Sequence, residues 1–256
     1  REAVRAYRNA ADFLVVTAAG IAVAPPRGGQ YGKERLQLDM GLRFPLLRER
    51  IDAAEDNAYR IAFPVRAGDG SLALEPVVIP RDPEVREGYL PYTRRNIIAQ
   101  AFRFLGEPYG WGDAGNTRDC SGLALAVYSS LGLLMARNTA DQEYGMAGQN
   151  TDFRDCTPEE RRKIFAALLP GDLLYTPTHV MIVLGRDAGE TYAIHDVIGG
   201  WFRPETAAPE TPPELLWLNA VTVTPLERFF DNPEGRPLLF SWRTAKRLVQ
   251  SGMPTR

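Results

Sequence analysis

Histidine and cysteine are scarce in this chain, with two of each among 256 residues. The cysteines are Cys120 and Cys156, too few for a disulfide-stapled scaffold. The histidines are His179 and His195, so any imidazole-dependent chemistry must use one of these two. A basic excess is also missing. Lys and Arg total 30 against 32 for Asp and Glu, a net charge of −2, which sets aside a nucleic-acid binder. No apolar run approaches the roughly 20 residues that a membrane-spanning helix needs, and no internal repeat is visible. Hydrophobic residues at 45% and charged residues at 24% give an ordinary globular balance with material for a sizeable core. The opening at Arg1 rather than Met reads as a fragment or a processed form, in which an export signal would not be visible.

Along the chain, residues 1–12 are mostly polar and predict a helix. From Phe13 the texture changes to short apolar runs (FLVVTA, GIAVA, LQLDMGL, NAYRIAFPV) punctuated by Gly, Pro and Asp-Gly. That pattern predicts a small antiparallel β unit ending near Tyr89. From Tyr92 the period becomes helical. Ile97, Ile98, Ala101, Phe102 and Leu105 share a face behind Thr93 as N-cap, and Gly106 ends the run. After a Gly- and aromatic-rich loop, CSGLALAVYSSLG predicts a second helix. Thr157 and Glu160 have the spacing of a capping box for a third, running to about Leu169. The runs LLYT, HVMIVLG, TYAIHDV, AVTVT and LLFSW then predict strands, with Pro-rich 203–214 as an exposed loop. The order predicts an α+β domain behind a small β domain.

Cys120 opens an apolar helix. Unpaired N–H groups and the helix dipole at such a position favour a thiolate, so a lowered thiol pKa and a nucleophilic role are expected. A small buried hydrophobe is the alternative reading. RDAGE predicts a hairpin loop centred on Asp187, which sets His179 opposite His195 on one sheet face, one as base and the other orienting it. A zinc site from Cys120, His179 and His195 lacks supporting ligand spacing. Cys156 reads as a helix-flanking residue.

The blocks PYGWG (108–112), RDCSG (118–122), ARNTADQ (136–142), PGDLLY (170–175) and HVMIVLG (179–185), followed by a polar residue on the next strand, resemble the NlpC-type family of papain-like peptidoglycan cysteine endopeptidases. The junction GYLPYTRRNIIAQAFRFLGEPYGWG resembles the family's multi-domain branch, whose members carry bacterial Src-homology-3-like domains. The resemblance implies a 1–12 helical segment, a 13–91 SH3-like β-barrel and a 92–256 papain-like α+β domain with its Cys helix packed on an antiparallel sheet. It implies hydrolysis of the γ-D-glutamyl–diamino acid bond of murein peptides, with Cys120 as nucleophile, His179 as base and His195 as orienting residue. Tyr109 matches an oxyanion or substrate residue. Asp119 and Ser121 flank the nucleophile, and Asp119 matches a residue that pairs with a substrate amine, with an N-cap as its alternative. No metal or cofactor is implied. The expected partner is murein, the expected state a monomer, and the expected place the envelope or exterior, with cytoplasmic muropeptide recycling as the alternative. Two other function classes stand beside this one: a wall-binding protein without catalysis, and a papain-like amidase or acyltransferase. Met135-Ala136-Arg137 stands where the family often has LPR, and DVIGGW finds no counterpart.

Overall fold

Alternation is clear in one long N-terminal strand. In LALEPVVIP, Val77 and Ile79 are buried while Val78 between them is exposed, the period of a strand with one wet face. A computed structural model of the chain describes residues 2–26, 35–48, 57–145 and 148–248. These divide into two units, Arg1–Pro91 with Ser129–Gly132, and Tyr92–Tyr128 with Leu133–Arg256.

The first unit opens with helix α1 (Glu2–Arg8). It continues through β1 (Phe13–Val16), β2 (Gly20–Val23), β3 (Leu36–Asp39), β4 (Arg43–Pro45), β5 (Ala58–Arg66), β6 (Leu72–Pro80) and β7 (Val85–Glu87). The Tyr7 hydroxyl donates to the Arg43 carbonyl at 3.1 Å, so α1 is tied to the unit that follows it. The strands make three antiparallel sheets, β4-β1-β7, β2-β3 and β5-β6. One core holds Leu14, Ile21, Leu38, Phe44, Ile61 and Ile79 together. The barrel expected over 13–91 is therefore not closed among the described residues. Pro64, Pro76 and Pro80 give β5 and β6 positions with no N–H to offer a further strand.

The second unit begins with α2 (Arg94–Phe102), whose cap Thr93 accepts the Asn96 N–H. Helices α3 (Cys120–Ser129), α4 (Thr139–Gly145) and α5 (Pro158–Ala166) follow, with β8 (Gln149–Asp152) between the last two. Thr157 and Glu160 close a full capping box on α5. Then come β9 (Leu173–Tyr175), β10 (Val180–Asp187), β11 (Glu190–Phe202), β12 (Glu214–Pro225), β13 (Phe229–Phe230) and β14 (Thr244–Arg247). They form one antiparallel seven-stranded sheet in the order β12-β11-β10-β9-β14-β8, with β13 on β11. The unit is a mixed α/β fold. Helix α3 is buried nearly all round, with Cys120, Leu123, Ala124, Val127 and Tyr128 inside, as its continuous apolar sequence requires.

Two expectations change here. LLFSW is not a strand: Leu238–Phe240 turn as a 3-10 segment after Pro237, and the strand starts at Thr244. The hairpin is centred later than Asp187. Ala188 (φ 48°) and Gly189 (φ 88°) make a two-residue turn with positive φ at both positions, closing on the pair Asp187–Glu190. A bulge at Leu184 shifts the ladder once more, so its last pair is Ile182–Ile194. Extended by one residue, this register sets His195 opposite Met181 rather than His179. The displacement is two residues, an even number, so the histidines keep the same sheet face and become diagonal neighbours.

Candidate active site

Cys120 is the first residue of α3 and is 7% exposed. Its sulfur receives the backbone N–H groups of Val180 and Ser121, and lies 3.9 Å from the Thr139 hydroxyl. Burial nevertheless dominates and pushes the thiol up from its ordinary value, with the Asp119 charge adding to the rise. The lowered thiol pKa expected from the helix terminus is thus outweighed by desolvation.

The residue before Val180 is His179. Its Nε2 meets Nδ1 of His195 at 2.8 Å, and Nε2 of His195 meets the Thr224 hydroxyl at 2.9 Å. The two rings stand edge-on, 5.0 Å between centroids at 70°. His195 and Thr224 are both 2% exposed. Burial lowers the pKa of His179 to about 4, against a smaller upward pull from Asp119. It also lowers that of His195 well below the ordinary imidazole range, with the neighbouring His179 adding to it. Both imidazoles are held neutral.

Asp119 occupies the cap position of α3 and is charged. Its Oδ1 accepts the Gly122 N–H at 2.9 Å, the Ser121 hydroxyl at 2.9 Å and Arg137 Nη1 at 3.0 Å. Its Oδ2 accepts Arg137 Nη2 at 2.8 Å and the Gly112 N–H at 3.1 Å. Burial pushes its carboxyl up, but these donors, led by Arg137, hold it below the usual carboxylate value. The Gly112 bond anchors the loop that carries Tyr109. A Cβ on Gly122 would stand 2.4 Å from Asp113 Oδ1, so glycine lets that carboxylate lie where it pairs with Arg137 at 2.8 Å. The chain before the loop is held to β12: the Tyr109 N–H donates to the Asn219 carbonyl and the Gly106 N–H to that of Val221. Burial, reinforced by the Cys120, Asp119 and Asp196 charges, raises the Tyr109 phenol to about 12, so it keeps its proton.

Residues 106–199 match the NlpC/P60 family. That span holds Tyr109, Asp119, Cys120, Ser121, His179 and His195. Among curated proteins, dipeptidyl-peptidase 6 of Lysinibacillus sphaericus is 29% identical over 108 residues, 42% of this chain and 34% of that protein. An NlpC/P60 endopeptidase from Photobacterium damselae subsp. piscicida superposes with a TM-score of 0.67 at 16% identity, over 96% of this chain and 53% of that one. An NlpC/P60 family protein from Bacillus cereus gives 0.60 at 20% identity, over 96% and 66%. At these identities the two structures establish a shared fold. The chain thus spans about a third of the curated relative and about half of the Photobacterium protein.

Within the NlpC/P60 span and beside it, five residues escaped the sequence reading. Arg137 and Thr139 lie inside the quoted block ARNTADQ, to which no role was given. Gln142 of the same block is fully buried and donates to the carbonyls of Ser121 and Ala136 at 2.9 and 2.8 Å. Thr224 belongs to a strand outside the motif blocks, and nothing in AVTVT marks it. Asp196 is fully buried with no hydrogen-bond partner on either oxygen. Burial, with the Glu107 and Asp119 charges opposed by Arg118, raises it to about 7. Among the described residues no group of three or more His, Cys, Asp or Glu side chains is arranged to hold a metal ion.

Proposed function

We propose that this protein is a cysteine peptidase of murein stem peptides that hydrolyses the γ-D-glutamyl–diamino acid bond. The observation that supports the reading is the hydrogen-bonded line His179–His195–Thr224, which begins one residue before the backbone N–H that meets the Cys120 sulfur. The Val180 N–H meets Cys120 Sγ, and His179, one residue earlier, is bonded at Nε2 to His195. With Nε2 of His179 engaged, Nδ1 is the nitrogen left to act as base. That fixes the tautomers. His179 carries its proton on Nε2 and donates it to Nδ1 of His195. His195 carries its own on Nε2 and donates to Thr224.

Burial keeps the resting pair toward neutral thiol and neutral imidazole. The proton therefore moves as the bond forms. Sγ attacks the γ-carbonyl carbon while its proton passes to Nδ1 of His179. The oxyanion is met by the Cys120 N–H and the protonated Tyr109 phenol. The imidazolium protonates the leaving amine as the C–N bond breaks. Water then attacks the thioester, its proton passing to His179 and back to the departing sulfur. No step uses a metal or organic cofactor. In this reading residues 92–256 are the peptidase domain and residues 13–91 an SH3-like domain behind the 1–12 helix. The protein works as a monomer on murein in the envelope or outside the cell.

The test is mass spectrometry of a defined muropeptide mixture incubated with wild type and with Cys120→Ala. The wild type is expected to split the peptide between D-glutamate and the diamino acid, and the variant to leave it whole. Equal release by the variant would refute the assignment.

A further inference from the structure

Glu107, Arg118 and Asp196 make a charged cluster that the proposed mechanism does not use. Nη1 of Arg118 donates to both oxygens of Glu107 at 2.7 and 2.8 Å, and its guanidinium carbon lies 4.4 Å from the centre of the Phe104 ring. Arg118 is buried and Glu107 half-buried. Asp196 is fully buried opposite Val221 of β12, and the Val221 N–H donates to the Glu107 carbonyl at 2.9 Å, so these three residues stand side by side. Among the described residues neither oxygen of Asp196 has a hydrogen-bond partner. The titratable groups facing Asp196 are Glu107 and Tyr109 from the segment held to β12, and Arg118 and Asp119 from the stretch leading into α3. The cation among them, Arg118, is already engaged by Glu107.

The backbone of Arg118 joins two parts of the site. Its carbonyl takes the Gly110 N–H at 2.7 Å, it forms a bridge with Tyr109, and Cys120 follows two residues later. We propose that Arg118 is a positioning residue that sets the Tyr109 phenol against Cys120, and that a proton on Asp196 keeps Arg118 on Glu107. With the proton in place, one carboxylate of the trio faces one guanidinium and the pair closes. With the proton lost, two buried carboxylates compete for one guanidinium, and Arg118 is drawn from Glu107 toward Asp196. Burial and the Glu107 and Asp119 charges put that loss at about pH 7. The switch rests on the peptidase reading for its effect on turnover, but the coupling of the three side chains does not.

Two measurements test the switch on the full chain, each variant first checked by circular dichroism. The first is a pH titration followed by NMR of the Asp196 carboxyl carbon and the Arg118 Nε–H, which needs no substrate. Both signals are expected to move together near pH 7 in wild type, and the Arg118 signal to stay flat in Asp196→Asn. Glu107→Gln removes the larger of the two opposing carboxylate charges, so it is expected to shift the Asp196 midpoint to lower pH. An Arg118 signal indifferent to pH in wild type, or an Asp196 midpoint unmoved by Glu107→Gln, would overturn the switch. The second is the pH dependence of kcat and KM on a γ-D-glutamyl peptide. Wild-type kcat is expected to fall about tenfold from pH 6 to pH 8 with KM little changed, and Asp196→Asn to hold its kcat over that range. Arg118→Lys, which lacks the planar fork, is expected to lower kcat at pH 6 by about tenfold with KM unchanged. An alkaline limb that persists in Asp196→Asn, or an unchanged kcat in Arg118→Lys, would overturn the proposal and leave the peptidase reading standing. If no peptide is cleaved at any pH while the two NMR signals titrate together, the peptidase reading falls and the coupling survives.

Discussion

The two sides of the site solve opposite electrostatic problems. On the sheet side, His195 and Thr224 are buried and His179 is half-buried, their hydrogen-bond partners are neutral, and both rings are pushed toward the uncharged form. On the loop side, Asp119 is half-buried yet ionised, because Arg137 and the backbone donors outweigh its desolvation. The difference teaches that burial alone does not decide charge state here. What decides it is whether an opposite charge with fork geometry is supplied. In the proposed mechanism the sheet side keeps a base ready, while the loop side holds backbone N–H groups on a charged carboxylate.

Breaking the sheet side is expected to have the largest effect. His179→Ala removes the proposed base and is expected to lower kcat by about 10²–10⁴-fold, the usual worth of general acid–base catalysis, measured on a γ-D-glutamyl peptide. Thr224→Val keeps the shape but removes the acceptor at the end of the line. It is expected to lower kcat by about tenfold with little change in KM, as for the loss of one hydrogen bond of about 1.4 kcal/mol. An unchanged kcat would mean that Thr224 does not set the tautomers. The pH profile sharpens the same contrast. A base with its pKa near 4 loses function only as pH falls through that value, so activity is expected to persist well below pH 6. An acid limb near the ordinary imidazole value of about 6.5 would show that His179 is not held neutral.

The smallest effects concern stability, and two buried groups act with opposite sign. The histidines have folded pKa values below their unfolded ones. Their contribution is complete above about pH 6.5 and is lost as pH falls below it, for His179 through about 4. Asp196 has a folded pKa raised to about 7, so its contribution is lost as pH rises through the window up to that value. Asp196→Asn is therefore expected to raise the melting temperature by about 2–4 °C at pH 8 and by less at pH 5, read by calorimetry. A gain larger at pH 5 than at pH 8 would contradict the assignment.

The sequence was most readable where local chemistry decides structure. Thr93, Thr157 and Glu160 cap the helices because a hydroxyl or carboxylate three residues from a free N–H has one obvious partner. Cys120 could be placed at a helix start, and both histidines on one face, because strand parity survives an even register slip. The slip itself was not legible. It depends on Ala188 taking a positive φ, which that residue rarely does, and on the bulge at Leu184. The sign of the Cys120 shift was hidden for a different reason: the helix terminus is visible in sequence, whereas the burial that outweighs it comes from distant strands. Thr224 and Asp196 were out of reach for the same cause, since their partners or lack of them are set by tertiary packing. In the first unit, short apolar runs between turn residues revealed the strands but not how they group into three sheets.

The direct test of the central claim is to catch the acyl group on the sulfur. A γ-D-glutamyl–diamino acid peptide is mixed with the enzyme, the reaction is quenched in acid within milliseconds to seconds, and the digest is mapped by mass spectrometry. The expected result is a thioester adduct of the glutamyl portion on the peptide containing Cys120, absent when His179 is alanine. Turnover with an adduct on another residue, or with Cys120 unmodified throughout at substrate saturation, would contradict the account.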